Sequence, residues 1–230
     1  MDLDTYYKLI SSEARARKYL LGKCFKNHQR FCPRCRCRKL YELQEGRYRC
    51  SRCEYTFQEF SGRWINRGRL SAVQWLSLIK LFELEVSVRK MALQLGLSYR
   101  AVYGAVSTIR MAILSRAEDA TTLLKLTIKK VRRSSVVYTD KFGSYNSLMF
   151  CGYRHLKVDH QKSFSSGKVY INGLEGFWSW AKGRLIKHHG VSKGYFPLYL
   201  KELEFRYNDR HEDLFDQVAN YLCDLVPKQD

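Results

Sequence analysis

Residues 32–53 read CPRCRCRKLYELQEGRYRCSRC, and the spacing of their cysteines decides how the N-terminal half folds. Cys32-Pro33-Arg34-Cys35 and Cys50-Ser51-Arg52-Cys53 are two C-x-x-C turns with fourteen residues between them. Each turn brings two sulfurs within reach of one ion, and two such knuckles complete a tetrahedral shell of four soft thiolates that selects Zn²⁺. Between them, Leu40–Gln44 and Arg47–Arg49 read as strands around a turn at Glu45-Gly46. The spacing predicts a zinc ribbon over 25–62, with Cys32, Cys35, Cys50 and Cys53 closing a structural site. Cys37, two residues past Cys35, is a competing ligand. A pair of disulfides would need an oxidising compartment, and a redox C-x-x-C would need a βαβ setting that this segment lacks. Cys24, Cys151 and Cys223 read as partly buried thiols.

Working outward, the ribbon sits in a strongly basic stretch. Residues 15–69 hold 16 basic and 4 acidic side chains, against 41 and 22 in all 230 residues, whose formal charge is +19. With 45% hydrophobic and 14% aromatic residues the chain is too apolar for a disordered basic tail. No run approaches the roughly 20 apolar residues of a spanning helix. Met1-Asp2-Leu3-Asp4 lacks the basic and apolar regions of a secretory leader. These features predict a cytoplasmic protein with no membrane contact, whose polyanionic partner is nucleic acid.

Beyond the ribbon, Ser71 caps an expected helix, Ala72–Phe82, with apolar residues at 72, 75, 76, 79 and 82. A second runs over Ser87–Leu95. Gly96-Leu97-Ser98 then turns the chain into a third, from Tyr99 to about Leu114. Small Ala92, turn-forming Gly96 and β-branched Val102 fit a helix-turn-helix over 70–115. In that motif the second helix enters the major groove, so Ser98, Tyr99, Arg100 and Tyr103 are candidate base readers. Arg89 and Lys90 are candidate phosphate contacts.

From Thr121 the pattern changes to alternating strands and helices, an α/β unit with parallel strands. An amphipathic helix is expected over Thr121–Val131, a strand over Ser135–Asp140, a second over Tyr153–Val158, and helices at about Asn172–Lys187 and Tyr195–Tyr207. An acid at a strand's carboxyl end and another early in a later helix can converge on Mg²⁺ or Mn²⁺, and two such ions serve phosphodiester chemistry. Asp140 and Glu175 are that pair. Asn172, Glu175, Ser179 and Lys182 share one helix face by steps of three and four, so Lys182 can hold DNA phosphate. Spacing alone favours the plainer reading, a helix cap at Asp140 and a solvated face at Glu175 and Lys182.

The segments Val137-Tyr138-Thr139-Asp140, Gly152-Tyr153-Arg154-His155, Val158-Asp159-His160, Ile171-Asn172-Gly173-Leu174-Glu175-Gly176-Phe177-Trp178 and Phe205-Arg206-Tyr207-Asn208 resemble the ISXO-type bacterial insertion-sequence transposases, relatives of the eukaryotic Merlin elements. The resemblance runs over nearly the whole chain. It implies an RNase H-like DDE core over 121–212 that uses two Asp, a third acid and Mg²⁺ or Mn²⁺ for DNA cleavage and strand transfer. Asp140 matches the second acid, Glu175 the third and Lys182 a lysine seven residues beyond it. Double-stranded DNA carrying the element's terminal inverted repeats is the implied partner, bound by a homo-oligomer.

One departure stands out. The family's first Asp lies on the opening strand of a three-strand meander before the helix aligned with Thr121–Val131. Here only Ser115–Ala120 precede that helix, and Glu118 and Asp119 have no apolar strand leading into them. The expected architecture is therefore multidomain α+β. It comprises a helical segment (1–24), the ribbon, the helix-turn-helix, an incomplete RNase H-like α/β core lacking its first three strands, and a C-terminal helix and tail (213–230). The expected function is a transposase impaired in catalysis. The alternative is a non-catalytic DNA-binding regulator, and an RNA-associated ribbon protein would leave the C-terminal motifs unexplained.

Overall fold

A computed structural model of the chain describes residues 1–25, 27, 29–119, 136–139, 154–157, 172–186, 191, 192 and 194–227. The chain forms two compact units, one of 1–116 with 197–230 and the other of 117–196. The second unit is thus an insertion between two parts of the first.

The first unit is built around one central helix. Helices α1 (Leu3–Ile10) and α2 (Glu13–Cys24) precede the ribbon, and α3 (Ala72–Glu83) follows it. Ser71 and Gln74 form a reciprocal capping box at the start of α3. Glu13 of α2 adds its carboxylate there, accepting from the backbone N–H of Ala72 (2.6 Å) and Val73 (3.1 Å). Ala72, Trp75, Leu76, Ile79 and Phe82, the expected apolar stripe, are all buried, and so are Leu78, Ser77 and Lys80. Burial extends beyond one stripe because α1, α2, α4 (Val88–Leu95) and a helix near the C-terminal end, α8 (Leu214–Cys223), all pack against α3. Phe215, Val218 and Leu222 of α8 fill the core beside Ala16 and Leu20 of α2. Asp216 of α8 accepts from Tyr19 (2.8 Å), from Asn220 (3.0 Å) and from Lys23.

Helix α5 (Tyr99–Asp119) follows the turn at Gly96 and continues about one turn and a half past Leu114, through Glu118 and Asp119. Val102, Val106, Ile109 and Ile113 bury one face of it. Helix α7 (Phe196–Asn208) also lies mainly in this unit. Arg206 sits between two carbonyl ends, donating to Phe82 O (2.6 Å) and Glu83 O (3.3 Å) at the last turn of α3, and to Glu202 (2.9 Å). Glu202 also accepts from Arg110 of α5 at 2.6 Å. The expected core over 121–212 and the compact unit over 117–196 therefore divide the chain differently. The reason is this buried Arg110–Glu202–Arg206 group, which holds α7 to α5 and α3.

In the second unit, β4 (Val136–Thr139) and β5 (Arg154–Lys157) pair in parallel, Val136 opposite Arg154. Helix α6 (Asn172–Leu185) follows in sequence. Phe177 meets both Trp178 and Trp180 on α6, Arg184 covers the Trp180 ring at 3.9 Å, and Ala181 is buried. These elements agree with the alternation of strand and helix expected from the sequence. The expected helix over 121–131 lies outside the described residues. Among the described residues, no helix is long and apolar enough to cross a membrane.

Candidate functional site

Two antiparallel pairings make the ribbon sheet: β1 (Leu40–Glu42) with β2 (Arg47–Cys50), Leu40 opposite Cys50, and β2 with β3 (Thr56–Gln58), Tyr48 opposite Phe57. The loop between β1 and β2 spans Leu43–Gly46 and ends in a tight turn, Arg47 N–H donating to Gln44 O, with φ of 61° at Glu45 and 66° at Gly46. That is the combination a type I′ turn needs to match strand twist. Tyr48 and Phe57 are buried with Cys32 and Cys50 in a small core separate from the helical one.

The two C-x-x-C knuckles share one backbone plan. In the first, Cys32 N–H donates to Cys37 O (2.8 Å) and Arg36 N–H to Cys32 O (2.9 Å). In the second, Cys50 N–H donates to Tyr55 O (3.0 Å) and Glu54 N–H to Cys50 O (3.0 Å). Arg36 and Glu54 occupy equivalent positions and both are left-handed, with φ of 63° and 57°. These pinned turns aim four sulfurs inward. The Sγ atoms of Cys32, Cys35, Cys50 and Cys53 all lie within 4.8 Å of one another. Cys32 and Cys53 are 3.6 Å apart, and Cys35 and Cys50 are 3.5 Å apart. A tetrahedral ion with Zn–S bonds of about 2.3 Å sets its sulfurs about 3.8 Å apart, so the quartet fits Zn²⁺.

Crowding of the sulfurs points the same way. Cys53 is drawn down to about 7, first by the backbone N–H of Tyr55. The N–H of Cys37 would lower Cys35, but burial and the hydrogen bonds to Cys53 and Cys50 push it up to about 12. Four crowded sulfurs cannot all become thiolates without a cation among them. Cys37 takes another role: its Sγ lies 3.8 Å from Lys39 O and 3.8 Å from Ser51 Oγ, outside the quartet. The quartet supplies all four ligand positions of a tetrahedral ion, so a zinc held here would act as a structural cross-link.

The ribbon is tied to the helices by charge. Glu59, almost fully buried, accepts from Arg17 Nε (2.9 Å) and Nη2 (2.7 Å) and from Arg30 (2.9 Å). Arg63, also buried, donates to Cys24 O at 2.8 Å and to Cys223 O, and covers the Phe25 ring at 4.6 Å.

The candidate DNA-contacting side chains lie around the α4–α5 turn. Gly96 has φ of 61°, and Leu97 N–H reaches back to Ala92 O at 3.0 Å, closing α4. Ser98 Oγ accepts from Ala101 N–H at 3.2 Å and starts α5. Arg89, Lys90, Ser98, Tyr99 and Arg100 are exposed, while Tyr103 is half-buried and stacks on Tyr99 with ring centres 6.0 Å apart. Ala92 and Val102 are buried behind them. The sequence did not single out Leu93, which is 76% exposed beside this group.

Of the acidic pair, Asp140 lies outside the described residues, one position past the end of β4. Glu175 is in the first turn of α6, and Lys182 is exposed two turns later on the same helix. Phe205 and Arg206, from the segment Phe205-Arg206-Tyr207-Asn208 at the end of α7, are buried in the first unit.

Residues 94–208 match the ISXO2-like transposase domain, and residues 11–56 match a transposase zinc-ribbon domain. An uncharacterized transposase-like protein of Haemophilus influenzae is 42% identical over 91 residues, which are 40% of this chain and 74% of that relative. No solved structure matches the chain. With half of its length matched by the first of these families, the chain belongs to the ISXO2-like transposase family and carries the zinc ribbon of such transposases.

Proposed function

We propose that this transposase-family chain binds the terminal inverted repeats of its insertion element as double-stranded DNA, at the bacterial nucleoid and as a homo-oligomer, but is impaired in cleavage and strand transfer. The observation that carries the reading is the unbroken course of α5 from Tyr99 to Asp119. By the resemblance, the family's first Asp belongs on a strand preceding the segment 121–131, expected from the sequence to be helical. Here α5 carries the stretch before it as helix through Asp119.

In this reading α4 and α5 act as a helix-turn-helix. Ser98, Tyr99, Arg100 and Tyr103 meet base edges, and Arg89 and Lys90 meet phosphate. The parallel pair β4–β5 and α6 are what remains of an RNase H-like core, with Asp140 after its strand and Glu175 on its helix. Carboxylates are the hard oxygen donors that Mg²⁺ and Mn²⁺ take, and such ions supply an activated hydroxyl and stabilise a leaving oxygen in phosphodiester chemistry. Lys182, exposed on the helix of Glu175, supports this as a phosphate contact. With one acid missing, two ligands remain where three would hold the ions.

The same course of α5 favours a second reading, a DNA-binding regulator that occupies element ends without acting on them. A duplex bearing the element's own terminal repeats, incubated with the full chain and Mg²⁺ or Mn²⁺, tests both. Binding without nicked or joined product is expected. Product that disappears in Asp140→Ala overturns the loss of catalysis, and absence of binding overturns both readings.

A further inference from the structure

The zinc ribbon presents two arginines in equivalent places that the α4–α5 interface does not use. Arg34 is the third residue of the first knuckle and Arg52 the third of the second. Each is anchored at the sulfur end: Arg52 N–H donates to Cys50 Sγ at 3.3 Å, and the backbone of Arg34 bonds Cys32. Both side chains are exposed on the turns that bring the four cysteines together.

What sets them apart is the absence of counter-charge. Elsewhere in this region Arg17 and Arg30 pair with Glu59, Arg47 with Glu45, and Arg49 with Glu54. Among the described residues, Arg34 and Arg52 have no carboxylate within ion-pair distance, nor do Arg36, Arg38 and Lys39 between them. Five cations within nineteen residues repel one another, and a rigid set of uncompensated guanidinium groups suits phosphate oxygens, which they bind in forked pairs. Arg34 and Arg36 also line a cleft with Tyr55, and Leu225 and Pro227 of the C-terminal segment line it too. The Tyr55 ring is 38% exposed and stacks on Phe57 at 6.0 Å.

We propose that this knuckle tip is a phosphodiester-binding site, in which Arg34 and Arg52 hold the backbone of double-stranded DNA and Arg36 lines an adjoining cleft for the same strand. The proposal rests on the DNA-binding reading above and adds to it a contact that is independent of sequence. The competing role for the two arginines is purely local, balancing the net negative charge of a Zn²⁺ ion with four thiolates.

The full zinc-loaded chain and its Arg34→Gln/Arg52→Gln variant separate these roles. Affinity for a duplex carrying the element end and for a scrambled duplex is measured across a salt series. Each phosphate contact contributes about 0.9 to the slope of log affinity against log salt, so the variant should lose about 1.8 on both duplexes. Its zinc content should equal that of the parent. The charge-matched variant Arg15→Gln/Lys18→Gln, altered on the exposed side of α2, should change the slope much less. An unchanged slope in the knuckle variant overturns the proposal, as does an equal drop in the α2 variant. Zinc loss from the knuckle variant assigns the arginines to the metal centre and overturns it as well. Preference for RNA over the duplex overturns the choice of partner. If the parent chain binds neither duplex, the failure lies with the DNA-binding reading itself.

Discussion

At the scale of single residues, the most consequential group is the acid buried between two guanidiniums. Burial alone would raise the Glu202 carboxyl, but Arg110 and Arg206 outweigh it and hold it below its ordinary value of 4.5. A carboxylate with a lowered folded value contributes stability in full above that ordinary value and loses it as pH falls through the lowered one. Glu202→Gln leaves two buried guanidiniums without their counter-charge and should cost about 3–5 kcal/mol at neutral pH. The difference from the parent, read from urea midpoints, should begin to narrow as pH falls below about 4.5 and should close only below the lowered folded value, where the parent's own carboxyl is neutral in the folded chain as well. Gly68 is a second such position, for reasons of space. A Cβ there would lie 2.8 Å from the ring of buried Trp75, so Gly68→Ala should destabilise the chain by about 1–3 kcal/mol in thermal unfolding. The sequence announces neither residue. Arg110 and Glu202 are 92 positions apart, and nothing local to Gly68 shows that an indole lies against it.

Among the elements, the zinc knuckles were the most legible, because metal-ligand spacing is written directly in the covalent chain. Cys32, Cys35, Cys50 and Cys53 come together as their spacing requires, and the competition from Cys37 is resolved by where its sulfur points. Cys37→Ser should therefore retain zinc, while Cys50→Ser should release it and unfold the ribbon, as metal analysis and circular dichroism would report. The hairpin was legible too, although its turn carries Glu45 where Asn adopts a positive φ more readily. Glu45→Asn should raise ribbon stability by a few tenths of a kcal/mol to about 1 kcal/mol, at the expense of a weak exposed pair with Arg47 at 3.7 Å. Strand β3 was not legible: three residues with one inward Phe57 show no alternation to read. Nor was the far end of α5, since Ser115–Asp119 carries no apolar stripe and its helicity is inherited from the buried turns before it.

For the whole molecule, sequence order and spatial order diverge. The chain reads as modules in series, yet its first unit is made of 1–116 and 197–230, with the second unit inserted between them. Periodicity reveals that α8 has an apolar face, but not that this face belongs beside α2, nearly 200 residues upstream. Removing residues 213–230 takes Phe215, Val218 and Leu222 out of the core and leaves Lys23 without Asp216. Such a truncation should abolish the cooperative unfolding transition of the first unit, measured by near-ultraviolet circular dichroism, rather than merely trim a tail.

The insertion also imposes a timetable. Ala16 and Leu20 of α2 emerge from the ribosome early, but Phe215 and Leu222 follow only after nearly 200 further residues. At about 5–20 residues per second that interval is roughly 10–40 s. Throughout it, the nascent N-terminal helices present an apolar surface with no cover of their own, while the basic ribbon can close on zinc at once. Synthesis therefore opens a window for chaperones before the molecule completes its largest core.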